Sequence, residues 1–218
     1  MAEPNLTLYA ESDWVSPWVF HAMIALEEKG LPYRLEVVTF PMAEDLRADL
    51  RERAVIGKVP ILVDGDAWIT ESLAISEYLA ERYPAPDYPR LFPADLVQRA
   101  RARQVMSALR TGFFKLREER PTSTFFGAAE GRSAERKPLS DAARADADEL
   151  VRIAAALIRP GATTLFDAWS IADADLALAL RRLVAGFDPL PAAVSEYTAA
   201  QWARPSVQKF LAHSTAPR

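Results

Sequence analysis

The chain has 218 residues, half of them hydrophobic and 26% charged, with a formal net charge of −4. This is a globular composition for one or two domains, and its overall charge attracts neither nucleic acid nor an anionic membrane. It has no cysteine and only His21 and His213, which excludes disulfides, thiolate metal sites and a protein-thiol nucleophile, and argues against a histidine-rich metal centre or a His-based triad.

Leu6–Ala10 alternates loosely and predicts a first strand. Ser16–Lys29 predicts a helix, with Ser16 at the N-cap, Pro17 at the first helical position and Gly30 ending it. Val19, Ala22, Met23 and Leu26 line one face. Tyr33–Thr39 predicts a second strand. Met42–Val55 is charged, with apolar positions only at Leu46 and Leu50, the pattern of a short irregular helix or a mobile loop. Pro60–Val63 and Ala67–Ile69 flank Asp64 and Gly65, a hairpin signal. Ser72–Arg82 predicts a helix that buries Leu73, Ile75, Tyr78 and Leu79. The order is β-α-β-α-β-β-α.

Pro84, Pro86 and Pro89 then stiffen a short connection, which places a linker at residues 85–90 between domains 1–84 and 91–218. Beyond it every segment reads as helix or loop. In Ala94–Glu119 helical spacing holds through Ala102, Val105, Met106, Leu109, Phe113 and Leu116. Pro121–Ser140 reads as a loop. Ala142–Ile158, Ile171–Val184, Ala192–Trp202 and Ser206–Ala212 predict further helices.

The segment with most chemical content is Gly57–Ser72, GKVPILVDGDAWITES. Val59-Pro60 is a candidate cis bond, which would turn the Val59 N–H and C=O toward another extended backbone. Glu71 and Ser72 stand at a helix N-terminus, where free N–H groups and the dipole favour a carboxylate. This segment resembles the glutathione-binding half of a cytosolic glutathione transferase. The likeness extends over essentially the whole chain: it implies a thioredoxin-like N-terminal domain followed by an all-helical domain. The stretches RARARQ and LREERPT are also similar to a bacterial YfcF-type subgroup.

The resemblance implies that bound glutathione supplies the thiol this chain lacks. Ser16-Pro17-Trp18-Val19 occupies the place of the Cys-Pro-x-Cys site of related redox proteins, which makes Ser16 the expected donor to the sulfur, with Tyr9 and Ser12 as competitors. Lowering a thiol pKa from ~8.5 to ~6.5 takes nearly ~3 kcal/mol. One hydrogen bond to a charged acceptor (~1.5–3 kcal/mol) plus one helix end (~0.3–1) suffices. Val59 and Pro60 would hold the cysteinyl part. Ser72 would bind the γ-glutamyl carboxylate and Glu71 its ammonium. Lys58 is the nearest cation for the glycyl carboxylate, with Arg47, Arg51 and Arg53 as rivals. An electrophile pocket is expected from Trp14, Val15, Phe113 and Arg117, with Phe125 and Phe126 closing over it as a lid.

Trp169-Ser170-Ile171-Ala172-Asp173 reads as a capping box with a hydrophobic staple, a folding signal. Asp173 and Asp175 are two apart on that helix and do not share a face, so they form no acid–base pair.

The reading is therefore a homodimeric, serine-type glutathione transferase acting on hydrophobic electrophiles, without a metal. No apolar run approaches the ~20 residues of a membrane span, and no basic-then-apolar leader opens the chain, so a cytoplasmic location is expected. Peroxide reduction by the same thiolate is one alternative, and a non-catalytic binding or interaction protein is another. The absence of cysteine argues against mixed-disulfide and dehydroascorbate chemistry.

Overall fold

A computed structural model describes residues 5–126 and 137–215. The chain divides into two units, Met1–Leu91 and Phe92–Arg218. The first contains β1 (Leu6–Glu11), α1 (Pro17–Lys29), β2 (Tyr33–Val38), α2 (Glu44–Ala54), β3 (Ile61–Asp64), β4 (Ala67–Thr70) and α3 (Ser72–Arg82). Its sheet runs β2-β1-β3-β4. β1 and β2 are parallel, with Leu6 opposite Tyr33, and parallel neighbours need a crossover such as α1. β3 is antiparallel to both β1 and β4.

Strand alternation separates the two faces. Leu6, Leu8 and Ala10 are fully buried on one side. Tyr9, Ile61, Val63 and Trp68 turn to the other, where Leu50 and Ala54 of α2 join them with Val38 and Met42. The expected irregular segment is thus a regular helix of 11 residues. Its sequence is mostly charged because a single edge is apolar, and packing of that edge fixes it. Truncating Leu50 to alanine would cost about 2–5 kcal/mol.

α1 is enclosed far beyond one stripe, since every residue from Val19 to Leu26 is buried. Gly30 ends it in the left-handed region at φ 66°, with its N–H bonded to the Glu27 carbonyl and that of Leu31 to Leu26. Buried Lys29 donates to the carbonyl of Tyr83, beyond the end of α3. The β3–β4 turn is Gly65-Asp66, with Gly65 at φ 59°, so Asp64 belongs to the strand. Its carboxylate accepts the phenols of Tyr78 (2.9 Å) and Tyr83 (3.0 Å), tying hairpin to helix. In α3, Ile75 and Leu79 are buried with Ser72 and Ser76, while Leu73 and Tyr78 are only half-buried.

The second unit contains α4 (Leu96–Thr111), α5 (Phe114–Glu119), a short 3-10 turn (Thr122–Thr124), α6 (Asp141–Leu157), α7 (Ile171–Ala185), α8 (Ala192–Trp202) and α9 (Pro205–Thr215). The expected single helix over Ala94–Glu119 breaks at Gly112 and Phe113, the latter at φ 60°. Asp146 of α6 causes a fresh start there by accepting the N–H groups of Lys115 (2.9 Å) and Leu116 (3.1 Å). α7 is the central helix and packs on α4, α6 and α8. Its capping box is present: the Asp173 carboxylate accepts the Ser170 N–H at 2.8 Å, and also the Leu165 N–H and the Tyr197 hydroxyl. Asp175 instead pairs with Arg110.

A second buried ion pair joins Arg120 to Asp188, with Nε to Oδ2 at 2.8 Å and Nη2 to Oδ1 at 3.2 Å. The Arg120 carbonyl accepts from Arg182 at 2.7 Å. A Cβ at position 186 would lie 2.1 Å from Arg120 Nε, so any larger residue there must displace this ion-paired side chain. No helix among the described residues is long and apolar enough to cross a membrane.

Candidate active site

β1 ends at Glu11, and Ser12 to Val15 carry the chain into α1. Trp14 takes a positive φ of 52° in this turn. The turn places Ser16 at the helix N-cap, where its Oγ accepts the N–H groups of Trp18 (3.2 Å) and Val19 (3.3 Å). Two donors on the oxygen leave the Ser16 O–H as the group free to point outward. The Ser16 N–H is itself held by Glu11 Oε1 at 2.6 Å.

Ser16 borders a cavity of about 650 Å³ built within the first unit, a volume suited to a small molecule. Glu11 shares the Ser16 side. Arg47 and Arg51 of α2 and Lys58 of the following loop supply positive charge, while Phe40, Met42, Val55, Ile56 and Val59 supply apolar wall. Gly57 lets the loop lie against α2, since a Cβ there would meet Arg51 Cγ at 2.7 Å and the Arg47 carbonyl at 2.8 Å. Glu44 braces both arginines, at 3.3 Å from Arg47 and 3.6 Å from Arg51. Cations outnumber the one carboxylate of the lining, so the cavity favours an anionic guest.

The structure brings together Ser16, Lys58 and Val59, and with them the rivals Arg47 and Arg51. Val59-Pro60 is cis, and the Val59 N–H and C=O have no hydrogen-bond partner among the described residues. Pro60 lies outside the cavity lining, as do Glu71 and Ser72. Glu71 is exposed at φ 67° at the start of α3, and Ser72 is buried beside it with its carbonyl taken by the Ser76 hydroxyl.

The competitors of Ser16 stand elsewhere. Tyr9 packs on Trp68, with ring centroids 5.6 Å apart, and burial pushes its phenol up rather than down. Ser12 donates to Asp13 at 3.3 Å. Arg53 bonds Asp49 at 2.8 Å and lies over the Trp68 ring.

The residues expected around an electrophile divide between the units. Trp14 is buried and Val15 half-buried in the first. Phe113 and Arg117 belong to the second, where the Arg117 guanidinium lies over Phe114 and donates to the Arg110 carbonyl. Phe125 and Phe126 are not a flap. They are buried at 6% and 1% exposure, and Phe126 stacks on Trp202 and packs on Phe210. Aromatics from two later helices give the pair a core to fill. The Gly127 beside them lies outside the described residues.

No local motif marks Glu11 in the sequence. Its only signal is an acid directly after the apolar run LTLYA, where a strand end normally reaches solvent.

Residues 15–82 match the family model "Glutathione S-transferase, N-terminal domain", and residues 95–216 match "Glutathione S-transferase, C-terminal domain". The Arabidopsis thaliana protein named glutathione S-transferase Z1 is 40% identical over 110 residues, covering 50% of this chain and 48% of that protein. A Caenorhabditis elegans protein whose name carries maleylacetoacetate isomerase is 38% identical over 112 residues, covering 51% and 50%. The chain thus spans about half the length of these curated relatives. Among solved structures, a glutathione transferase homologue from Burkholderia gl BGR1 with bound glutathione is 35% identical, with a TM-score of 0.76. The match covers 96% of this chain and 97% of that one.

Proposed function

Because the chain belongs to the glutathione S-transferase family, we propose that it binds glutathione in the Ser16 cavity and activates the thiol for attack on a hydrophobic electrophile. The observation that carries this reading is the Ser16 hydroxyl: its oxygen is engaged by two backbone N–H groups at the head of α1, and it borders a cavity rich in cations. The Ser16 O–H donates to the sulfur and favours its thiolate. The unpartnered backbone of Val59 pairs with the cysteinyl segment. Glu71 and Ser72 take the γ-glutamyl end at the α3 N-terminus, and Lys58, with Arg47 and Arg51, takes the glycyl carboxylate. Trp14 and Val15, in the turn before Ser16, contact the electrophile from the first unit. The same reading carries a serine-type, YfcF-like homodimer in the cytoplasm, which sedimentation and cell fractionation test.

The relatives favour a second use of one thiolate. One relative carries the name probable maleylacetoacetate isomerase, which makes isomerisation of a substrate a second use of the same thiolate. Retention on immobilised glutathione comes first as a test, followed by assays with a chloronitroarene, maleylacetoacetate and cumene hydroperoxide. Turnover of the chloronitroarene supports the transferase reading. Turnover of only the second or third substrate moves the function to isomerase or peroxidase. Retention without any turnover indicates a binding protein, and failure of retention overturns the reading.

A further inference from the structure

One charge in the cavity has no role in the activation just described. Glu11 is 5% exposed and lines the cavity with Ser16. Its Oε1 accepts the Ser16 N–H, but its Oε2 is buried with no hydrogen-bond partner among the described residues. Among the described residues no ion pair reaches it either: Arg47 and Arg51 are braced by Glu44, and Lys58 lies on the loop before Val59. Burial pushes the Glu11 carboxyl above the ordinary carboxylate range. The Ser16 and Val15 N–H groups oppose that shift, and nearby Asp13 adds to it. A buried carboxylate oxygen without a donor is costly, and a proton would relieve it.

A thiolate forming in the same cavity would set a second anion beside this carboxylate, which like-charge repulsion resists. Passing the thiol proton to Glu11 avoids the conflict, because the cavity's net charge does not change. We propose that Glu11 is the base that takes the thiol proton of bound glutathione, an inference that rests on the thiol docking at Ser16 as read above. The S–H bond breaks as an O–H bond forms on Oε2. The sulfur keeps the electron pair, so the negative charge passes from carboxylate to sulfur, where the Ser16 O–H and the head of α1 receive it. When sulfur bonds to the electrophile and an anion leaves, the Glu11 proton departs with that anion into solvent and the carboxylate is restored.

The test counts protons. Glutathione is titrated into the full chain at pH 6.5, where the free thiol is protonated, by calorimetry in buffers of different ionisation enthalpy. Thiolate is measured in parallel by ultraviolet absorbance, with S-methylglutathione as the blank for protons lost elsewhere. The expected result for the unmutated protein is well under half a proton released per thiolate formed. Glu11→Gln keeps an oxygen for the Ser16 N–H and should restore release to one proton per thiolate. One proton per thiolate from the unmutated protein overturns the proposal whether or not the variant folds, and an unchanged ratio in the variant overturns it too. A merely positioning Glu11 would not move this ratio. Absence of glutathione binding or of thiolate in the unmutated protein removes the underlying reading, and the proposal with it.

Discussion

Replacing Ser16 by alanine removes two things whose sizes differ enough to be separated. The first is the α1 cap. Its two hydrogen bonds, at 3.2 and 3.3 Å, are long for N–H to oxygen, so the loss belongs at the weak end of the capping range. That is about 0.5–1 kcal/mol, or roughly 1–4 °C in Tm for a chain of this size. The second is the hydrogen-bond donor that the proposed function assigns to the thiolate. A hydrogen bond to a charged acceptor is worth ~1.5–3 kcal/mol, which raises the pKa of the bound thiol by ~1–2 units. At a pH below the original midpoint, kcat/KM falls by about 10- to 150-fold. Ultraviolet titration of the bound thiolate reads the midpoint directly, and Ser16→Thr, which keeps both acceptor and O–H, is expected to stay near the unmutated values. A lower Tm with an unmoved thiolate midpoint would refute the argument and leave Ser16 as a cap alone.

Three further outcomes follow from geometry. Arg47→Gln, Arg51→Gln and Lys58→Gln each remove one cation from the cavity. Whichever of them bonds the glycyl carboxylate should cost glutathione affinity about 10- to 150-fold by calorimetry, with a shallower salt dependence. Asp188→Ala leaves the Arg120 guanidinium buried and unpaired, a loss of about 3–5 kcal/mol in urea unfolding; Gly186→Ala is expected to weaken the same place through its clash with Arg120. Burial, and then Asp64, push the Tyr83 phenol up to about 12. A folded pKa above the unfolded value of about 10 means that the native state holds the proton longer, so stability falls as pH rises from about 10 to about 12. Tyr83→Phe is expected to remove that part of the alkaline slope.

Local signals defined most of the fold. Ser16, Pro17 and Gly30 bound α1 through capping chemistry, and the Val59-to-Ser72 stretch carries its hairpin and helix start in contiguous residues. What sequence could not show depends on partners far along the chain. α2 becomes regular because Leu50 and Ala54 meet Val38, Met42 and Ile61. The break before α5 is written in Asp146, on another helix. Phe125 and Phe126 read as a lid only while Trp202 and Phe210 are out of view. Among the residues lining the cavity, Ser16, Lys58 and Val59 stand in local motifs that the sequence shows. Glu11 does not, because its burial comes from the folded surroundings and nothing in its immediate neighbours announces it.

The enclosure of α1 has a consequence for how this cavity can change. The Ser16 hydroxyl is mounted at the head of the most deeply anchored helix of the first unit, whereas the arginines sit on a helix touching the core through a single edge. Redesign of the cavity's cationic wall can therefore proceed on α2, charge by charge, while the Ser16 corner keeps its geometry. Reversing Arg47 and Arg51 to acids would remake the preference from anion to cation with the sheet and its central strand left alone.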